Sequence, residues 1–126
     1  MELSFEERVA EAKAQVSAVS PHEASQTRQS NPEVLFIDPR DAESIEKTTG
    51  IIPGALNVAL STLSSEEDNA LPNELADRTR SIIAACQGGP MGALAAYALK
   101  KRGYENVRFM DGGTQAWLEA GFETVR

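Results

Sequence analysis

The chain holds a single cysteine, Cys86. It follows the apolar run Ser81-Ile82-Ile83-Ala84-Ala85 and opens the turn Gln87-Gly88-Gly89-Pro90-Met91-Gly92. A strongly helical segment, Ala93 to Arg102, comes directly after. Strand, tight loop and helix N-terminus together aim backbone N–H groups at whatever sits on the loop. The positive end of the helix favours thiolate over thiol, which makes Cys86 a candidate nucleophile. The competing reading of a lone cysteine at a strand end is a small buried hydrophobe. Gly88 and Gly89 argue for chemistry, because they let several amides turn inward as a nest for an anion. Gly92 permits close approach of chain or ligand. Pro90 has no N–H to add to the nest and instead sets φ for entry into the helix. A persulfide on Cys86, with its second anionic sulfur, suits such a nest as well as a thiolate does.

Other cysteine chemistries lack their parts. The only histidine, His22, lies in a separate segment and is expected to be solvated, so a cysteine–histidine protease is disfavoured. One cysteine allows no intramolecular disulfide, no multi-cysteine zinc site and no resolving thiol. Any sulfur chemistry must hand its product to another molecule. A net charge of −7 argues against nucleic acid as a partner. The local cluster Lys100-Lys101-Arg102 reads as the last turn of a helix, where cations complement the dipole. No apolar stretch is long enough for a bilayer, and Met1 to Arg8 has neither a basic n-region nor an apolar h-region. No membrane contact and a cytoplasmic location are the expectations.

The elements that must position Cys86 are those of one ordinary globular domain, given 126 residues with 41% hydrophobic and 25% charged. Ser4 to Val16 reads as an amphipathic helix, with Phe5, Val9, Ala12 and Val16 on one stripe and a Ser4–Glu7 capping box. Its apolar face could pack on the domain or on a partner. Ser20 and Pro21 start a second helix that runs to about Gln29. Val34 to Ile37 is a short continuous apolar run, the mark of a strand buried on both faces, ending at Asp38-Pro39-Arg40. A short helix from about Asp41 to Lys47 and a turn-rich stretch into Leu56-Asn57-Val58 follow. Residues 61–72 read as an acidic loop with one helical turn, and 71–80 as a helix. Ile82 to Ala85 is the strand feeding Cys86, and Gly103 ends the helix beyond it. Val107 to Met110 is a further strand. Asp111 is expected to cap a last helix that carries Trp117 as a packing residue and ends at Gly121. Strands alternating with helices indicate an α/β class with a mainly parallel sheet, whose ligands bind outside the strands' carboxyl ends. Asp38, Cys86 and Asp111 each follow a strand and are expected on one rim.

These residues resemble the single-domain rhodanese family of sulfurtransferases, from about Ser20 to the C-terminus. Val34 to Arg40 resembles the family's first strand and its Asp-x-Arg ending. Gly50-Ile51-Ile52-Pro53-Gly54-Ala55-Leu56-Asn57 is similar to a Gly-His-Ile-Pro-Gly-Ala-x-Asn signature. Cys86 to Gly92 with Ala93 to Ala96 looks like the active-site loop and its helix, and Gly103 to Val107 with Gly112 to Gly121 like the closing segment. The resemblance implies a rhodanese-like three-layer fold over 20–126, with 1–19 as an N-terminal helical extension. It implies a ping-pong reaction in which Cys86 becomes a persulfide. A small anionic donor such as thiosulfate would supply the sulfur, and a thiol or protein acceptor would take it. Gln87, Gly88, Gly89, Met91, Gly92 and Arg40 are then the candidate substrate-binding residues, Asp38 is structural beside them, and no metal or organic cofactor is implied. For Arg40 a second role is open, organising the turn with Asp38 through a salt bridge or backbone contacts.

Two positions depart from the family pattern. Where arginine is frequent the loop has Met91, and no charged side chain occurs in it at all. A neutral loop lacks Coulombic attraction for doubly charged thiosulfate, which points to a less charged donor or to binding by amides alone. Ile51 stands where histidine is usual and is expected to be structural. The phosphatase branch, with arsenate reductase, needs a larger loop and an arginine for the transferred group, and no arginine occurs between Cys86 and Arg102. The alternative to a sulfurtransferase is a catalytically weak interaction or regulatory module.

Overall fold

Serine hydroxyls start the first two helices in the computed structural model, which describes residues 3–65 and 71–126. Ser4 Oγ accepts the Glu7 N–H at 3.1 Å while Glu7 Oε1 accepts the Ser4 N–H at 3.0 Å, so α1 runs Phe5–Gln15 behind a complete capping box. Ser20 and Glu23 repeat the device for α2 (Pro21–Ser30), with Pro21 in its first turn. Between them lies β1 (Ser17–Val19), a strand with no counterpart in the sequence reading. The chain continues through β2 (Leu35–Asp38), α3 (Ala42–Lys47), β3 (Leu56–Asn57), α4 (Leu60–Leu63) and β4 (Ile82–Ala84). It closes with α5 (Pro90–Lys101), β5 (Val107–Met110) and α6 (Gly113–Glu119).

The strands form one five-stranded sheet in the order β1-β5-β4-β2-β3, and every pairing is parallel. The period-2 alternation of side chains splits the core into two layers. Leu35, Ile37, Ile82, Ala84, Val107 and Phe109 face α1, α4 and α5. Phe36, Ile83, Ala85 and Met110 face the opposite side, where Trp117 of α6 and Ala24 of α2 cover them. This is the α/β class with a parallel sheet expected from the alternation of elements, in the three layers that the family resemblance implies. Trp117 is a packing residue, as expected; its Nε1–H donates to the Glu123 carbonyl at 2.8 Å. Arg28 lays its guanidinium 4.2 Å from the Phe36 ring centroid, and burial pushes its pKa down. His22 is exposed, edge-on to Phe122.

The open question about α1 is resolved by packing. Ala12 is fully buried and Val16 nearly so, and the helix lies along α5, where Tyr97 Oη donates to Glu11 Oε1 at 2.9 Å. Phe5, however, is 55% exposed, off the buried stripe.

Two expectations are corrected. The segment 71–80 is not a helix but holds one 3-10 turn, Asn73–Leu75. Asp77 Oδ1 accepts both the Thr79 N–H at 2.9 Å and its hydroxyl at 2.6 Å, a local turn that competes with helical bonding. The Tyr104 hydroxyl donates to the Leu75 carbonyl and holds that turn in place. Nor does Asp111 cap α6. The N-cap is Gly112 at φ +76°, without a side-chain bond, and Asp111 is exposed. The left-handed glycine points the helix's first amides at backbone carbonyls instead, which removes the need for a carboxylate. Of the loop expected at 61–72, α4 supplies the helical turn, and residues 66–70 lie outside the described ones.

Candidate active site

Because every strand is parallel, Asp38, Cys86 and Asp111 do share the carboxyl rim of the sheet, as expected. Their chemistry differs. Asp111 faces solvent, Asp38 is buried, and Cys86 lies just beyond β4 at 3% exposure. The Gly89 N–H donates to Cys86 Sγ at 2.9 Å. Such a donor binds anionic sulfur more strongly than neutral sulfur. Gly89 can present its amide there because its φ is +118°, a conformation that suits glycine.

The loop is held from behind by α6. Thr114 N–H donates to the Cys86 carbonyl at 2.7 Å and Gln115 N–H to the Gln87 carbonyl at 3.0 Å. Gly113 permits this approach: a Cβ on it would lie 2.5 Å from the Cys86 carbonyl oxygen. Gly92 sits behind the loop on β4, where a Cβ would be 3.2 Å from the Ala84 carbonyl oxygen. Gly92 is therefore a packing position, whereas Gln87, Gly88 and Met91 line the open side.

That open side is a cleft of about 360 Å³, lined by Cys86, Pro90 and the three loop residues just named together with Phe5, Arg40, Asp41 and Ser44. Phe5, Asp41 and Ser44 are not among the site residues expected from the sequence. Asp41 and Ser44 carry no distinguishing signal, being a helix N-cap and its neighbour, with the Ser44 hydroxyl donating to Asp41 Oδ2 at 3.0 Å. Phe5 had one: it opens the apolar stripe yet sits in the first turn, clear of the buried Ala12 and Val16.

Arg40 reaches the cleft but its guanidinium is engaged elsewhere. Nε donates to Asp38 Oδ1 at 3.0 Å and Nη2 to Asp38 Oδ2 at 2.6 Å, a bidentate pair buried on both sides. Nη1 donates to Thr48 Oγ1 at 3.1 Å, and Nη2 also reaches Thr49 Oγ1 at 2.9 Å. Asn57 Nδ2 donates to the carbonyls of Asp38 and Arg40 at 3.0 and 2.6 Å, so the two separated motifs lock one turn. Ile51 exchanges backbone bonds of 2.8 Å with Val125, the structural part expected of it.

The family model for the rhodanese-like domain matches residues 20–120. The chain belongs to the rhodanese-like domain family. The match begins at the N-cap of α2, so α1 and β1 precede the matched segment while packing on α5 and pairing with β5. Among curated relatives, the chain is 30% identical over 93 residues to Protein HIGH ARSENIC CONTENT 1, mitochondrial, of Arabidopsis thaliana. That alignment covers 69% of this chain and about half, 54%, of the relative. Among solved structures, this rhodanese-like domain is similar to the polysulfide-sulfur transferase homodimer of Wolinella succinogenes. The TM-score is 0.73 at 25% identity, covering 96% of this chain and 86% of that one. It is also similar to a Rhodopseudomonas palustris protein of unknown function described as a possible tyrosine phosphatase. There the TM-score is 0.86 at 23% identity, with 99% and 96% covered, a likeness of fold. Among the described residues, no helix is long and apolar enough to cross a membrane.

Proposed function

We propose that this rhodanese-like domain is a sulfurtransferase working through a Cys86 persulfide. The observation that carries the reading is the Gly89 N–H held 2.9 Å from Cys86 Sγ at the floor of a cleft on the sheet's carboxyl rim. In the first half-reaction the Cys86 thiolate attacks the outer sulfur of a donor R–S–SH. The new Cys86 S–S bond forms as the donor's S–S bond breaks, and its electron pair departs with R–S⁻. In the second, an acceptor thiolate takes the outer sulfur and returns the Cys86 thiolate. Cys86 is the catalytic residue. The R–S⁻ that departs in the first half-reaction takes the proton of the more acidic persulfide, and backbone amides of the loop from Gln87 to Gly92 hold the transferred anionic sulfur, with Gly89 as the donor to Sγ. Arg40 and Asp38 serve by fixing the rim. The cytoplasmic setting belongs to the same proposal, since a reducing compartment keeps the thiol free.

Intact-mass measurement after incubation with thiosulfate or mercaptopyruvate, followed by cyanide, tests this. The expected result is a gain of one sulfur atom, reversed by cyanide and absent in Cys86→Ser. Near-complete burial of Cys86 favours a second reading, an interaction module, and absence of any gain with every sulfur donor would select it.

A further inference from the structure

The cleft over Cys86 has a composition that the loop alone does not reveal. Its wall includes Phe5, which comes from α1, ahead of the segment that matches the family model. Phe5 is 55% exposed although its helix is anchored by fully buried Ala12. Pro90 and the half-buried Met91 line the same cleft. An aromatic ring left in water, in one cleft with a candidate nucleophile, a thioether and a pyrrolidine, is apolar surface that a ligand can cover. The charges point the same way. Among the described residues lining the cleft, Arg40 is the one cation, and Asp38 takes its guanidinium in a bidentate pair. Asp41, exposed at the rim, adds a negative charge.

Resting on the sulfur-transfer reading, we infer that the cleft takes organic persulfides whose organic group is apolar and uncharged or cationic, and that it discriminates against anionic donors. Phe5 and Met91 are the specificity-determining residues. The donor reacts as neutral R–S–SH, with R lying between Phe5 and Met91 and the outer sulfur reaching Sγ. The Cys86 S–S bond forms, the donor S–S bond breaks with its pair on R–S⁻, and R–S⁻ then takes the proton from the transferred sulfur. Thiosulfate brings two negative charges and no apolar group, so neither the wall nor the rim assists it.

The test compares rates of sulfur loading on the full chain from phenethyl persulfide, methyl persulfide, 3-mercaptopropionate persulfide and thiosulfate. Each rate is divided by the rate of loading of free N-acetylcysteine by the same donor, which removes intrinsic reactivity. Phenethyl persulfide is expected to exceed the methyl compound by about three- to tenfold. The carboxylate-bearing donor should fall below the methyl one, with thiosulfate slowest. Phe5→Ala should bring the phenethyl-to-methyl ratio close to one, and Met91→Arg should raise the thiosulfate rate relative to the phenethyl rate. Equal normalised rates across all four donors, with Cys86 loaded by each, would overturn the inference and leave sulfur transfer standing. An unaltered phenethyl-to-methyl ratio in Phe5→Ala would overturn it too. No loading from any donor would remove the inference together with the reading beneath it.

Discussion

Gly113 and Gly92 hold the Cys86 loop from two sides, and their tolerance to a methyl group differs. A Cβ on Gly113 would press on the Cys86 carbonyl oxygen at 2.5 Å and on Gln87 backbone atoms at 2.8 Å, at a φ of +62°. Gly113→Ala is therefore expected to destabilise by about 1–3 kcal/mol or more and to slow sulfur loading, read by urea midpoints and intact mass. At Gly92 the nearest atoms would be 3.2 and 3.4 Å away, and alanine gains about 1 kcal/mol of helix propensity. Gly92→Ala should leave stability near the parent. The Asp38–Arg40 pair follows a different rule, because burial makes an orphaned charge costly. Asp38→Ala is expected to lose about 3–5 kcal/mol by chemical denaturation. Arg40→Lys should not restore the fold's full stability, since an ammonium cannot reproduce the two parallel bonds to Asp38.

At the scale of elements, the first two helices carry a pH dependence written into their caps. The Ser4 and Ser20 backbone N–H groups, and then their hydroxyls, hold the Glu7 and Glu23 carboxyls below the ordinary value of 4.5. A carboxyl lowered in the folded state contributes stability above the unfolded value and loses it as pH falls through the folded value. Stability should thus decline on acidification below 4.5, and Glu7→Gln and Glu23→Gln should flatten that decline. Thermal melts followed by circular dichroism from neutral pH downward check the sign. A decline equally steep in the double variant would assign it to other carboxylates. The segment after Pro72 teaches the opposite lesson about elements: Asp77 binds its own neighbour, and a stretch with helical composition stays a turn.

For the whole molecule, α1 joins fold to site. It is docked on α5 through Ala12 and Val16, and it delivers Phe5 to the cleft. Ala12→Glu would place a carboxylate in that fully buried contact. The expected outcome is a lower melting temperature, faster hydrogen exchange in α1 with β4 still protected, and the same loss of phenethyl preference as in Phe5→Ala. Exchange that rises uniformly across the sheet would show instead that α1 is inseparable from the core. The sequence by itself determined the parallel α/β class, the strands over Val34 to Ile37, Ile82 to Ala85 and Val107 to Met110, the Ser4–Glu7 capping box, the helix start at Ser20 and Pro21, and the Cys86 loop. Each rests on local periodicity or on Ser, Gly and Pro at fixed offsets, which a linear reading detects. Only the tertiary structure decided the rest. β1 exists through pairing with β5 from the far end of the chain, Asn57 ties down the Asp38–Arg40 turn, and Gly113 opens a path for α6 amides to reach the loop. Phe5 joins Cys86 in one cleft for the same reason. These contacts link residues distant in sequence, and nothing in the neighbourhood of either partner encodes the other.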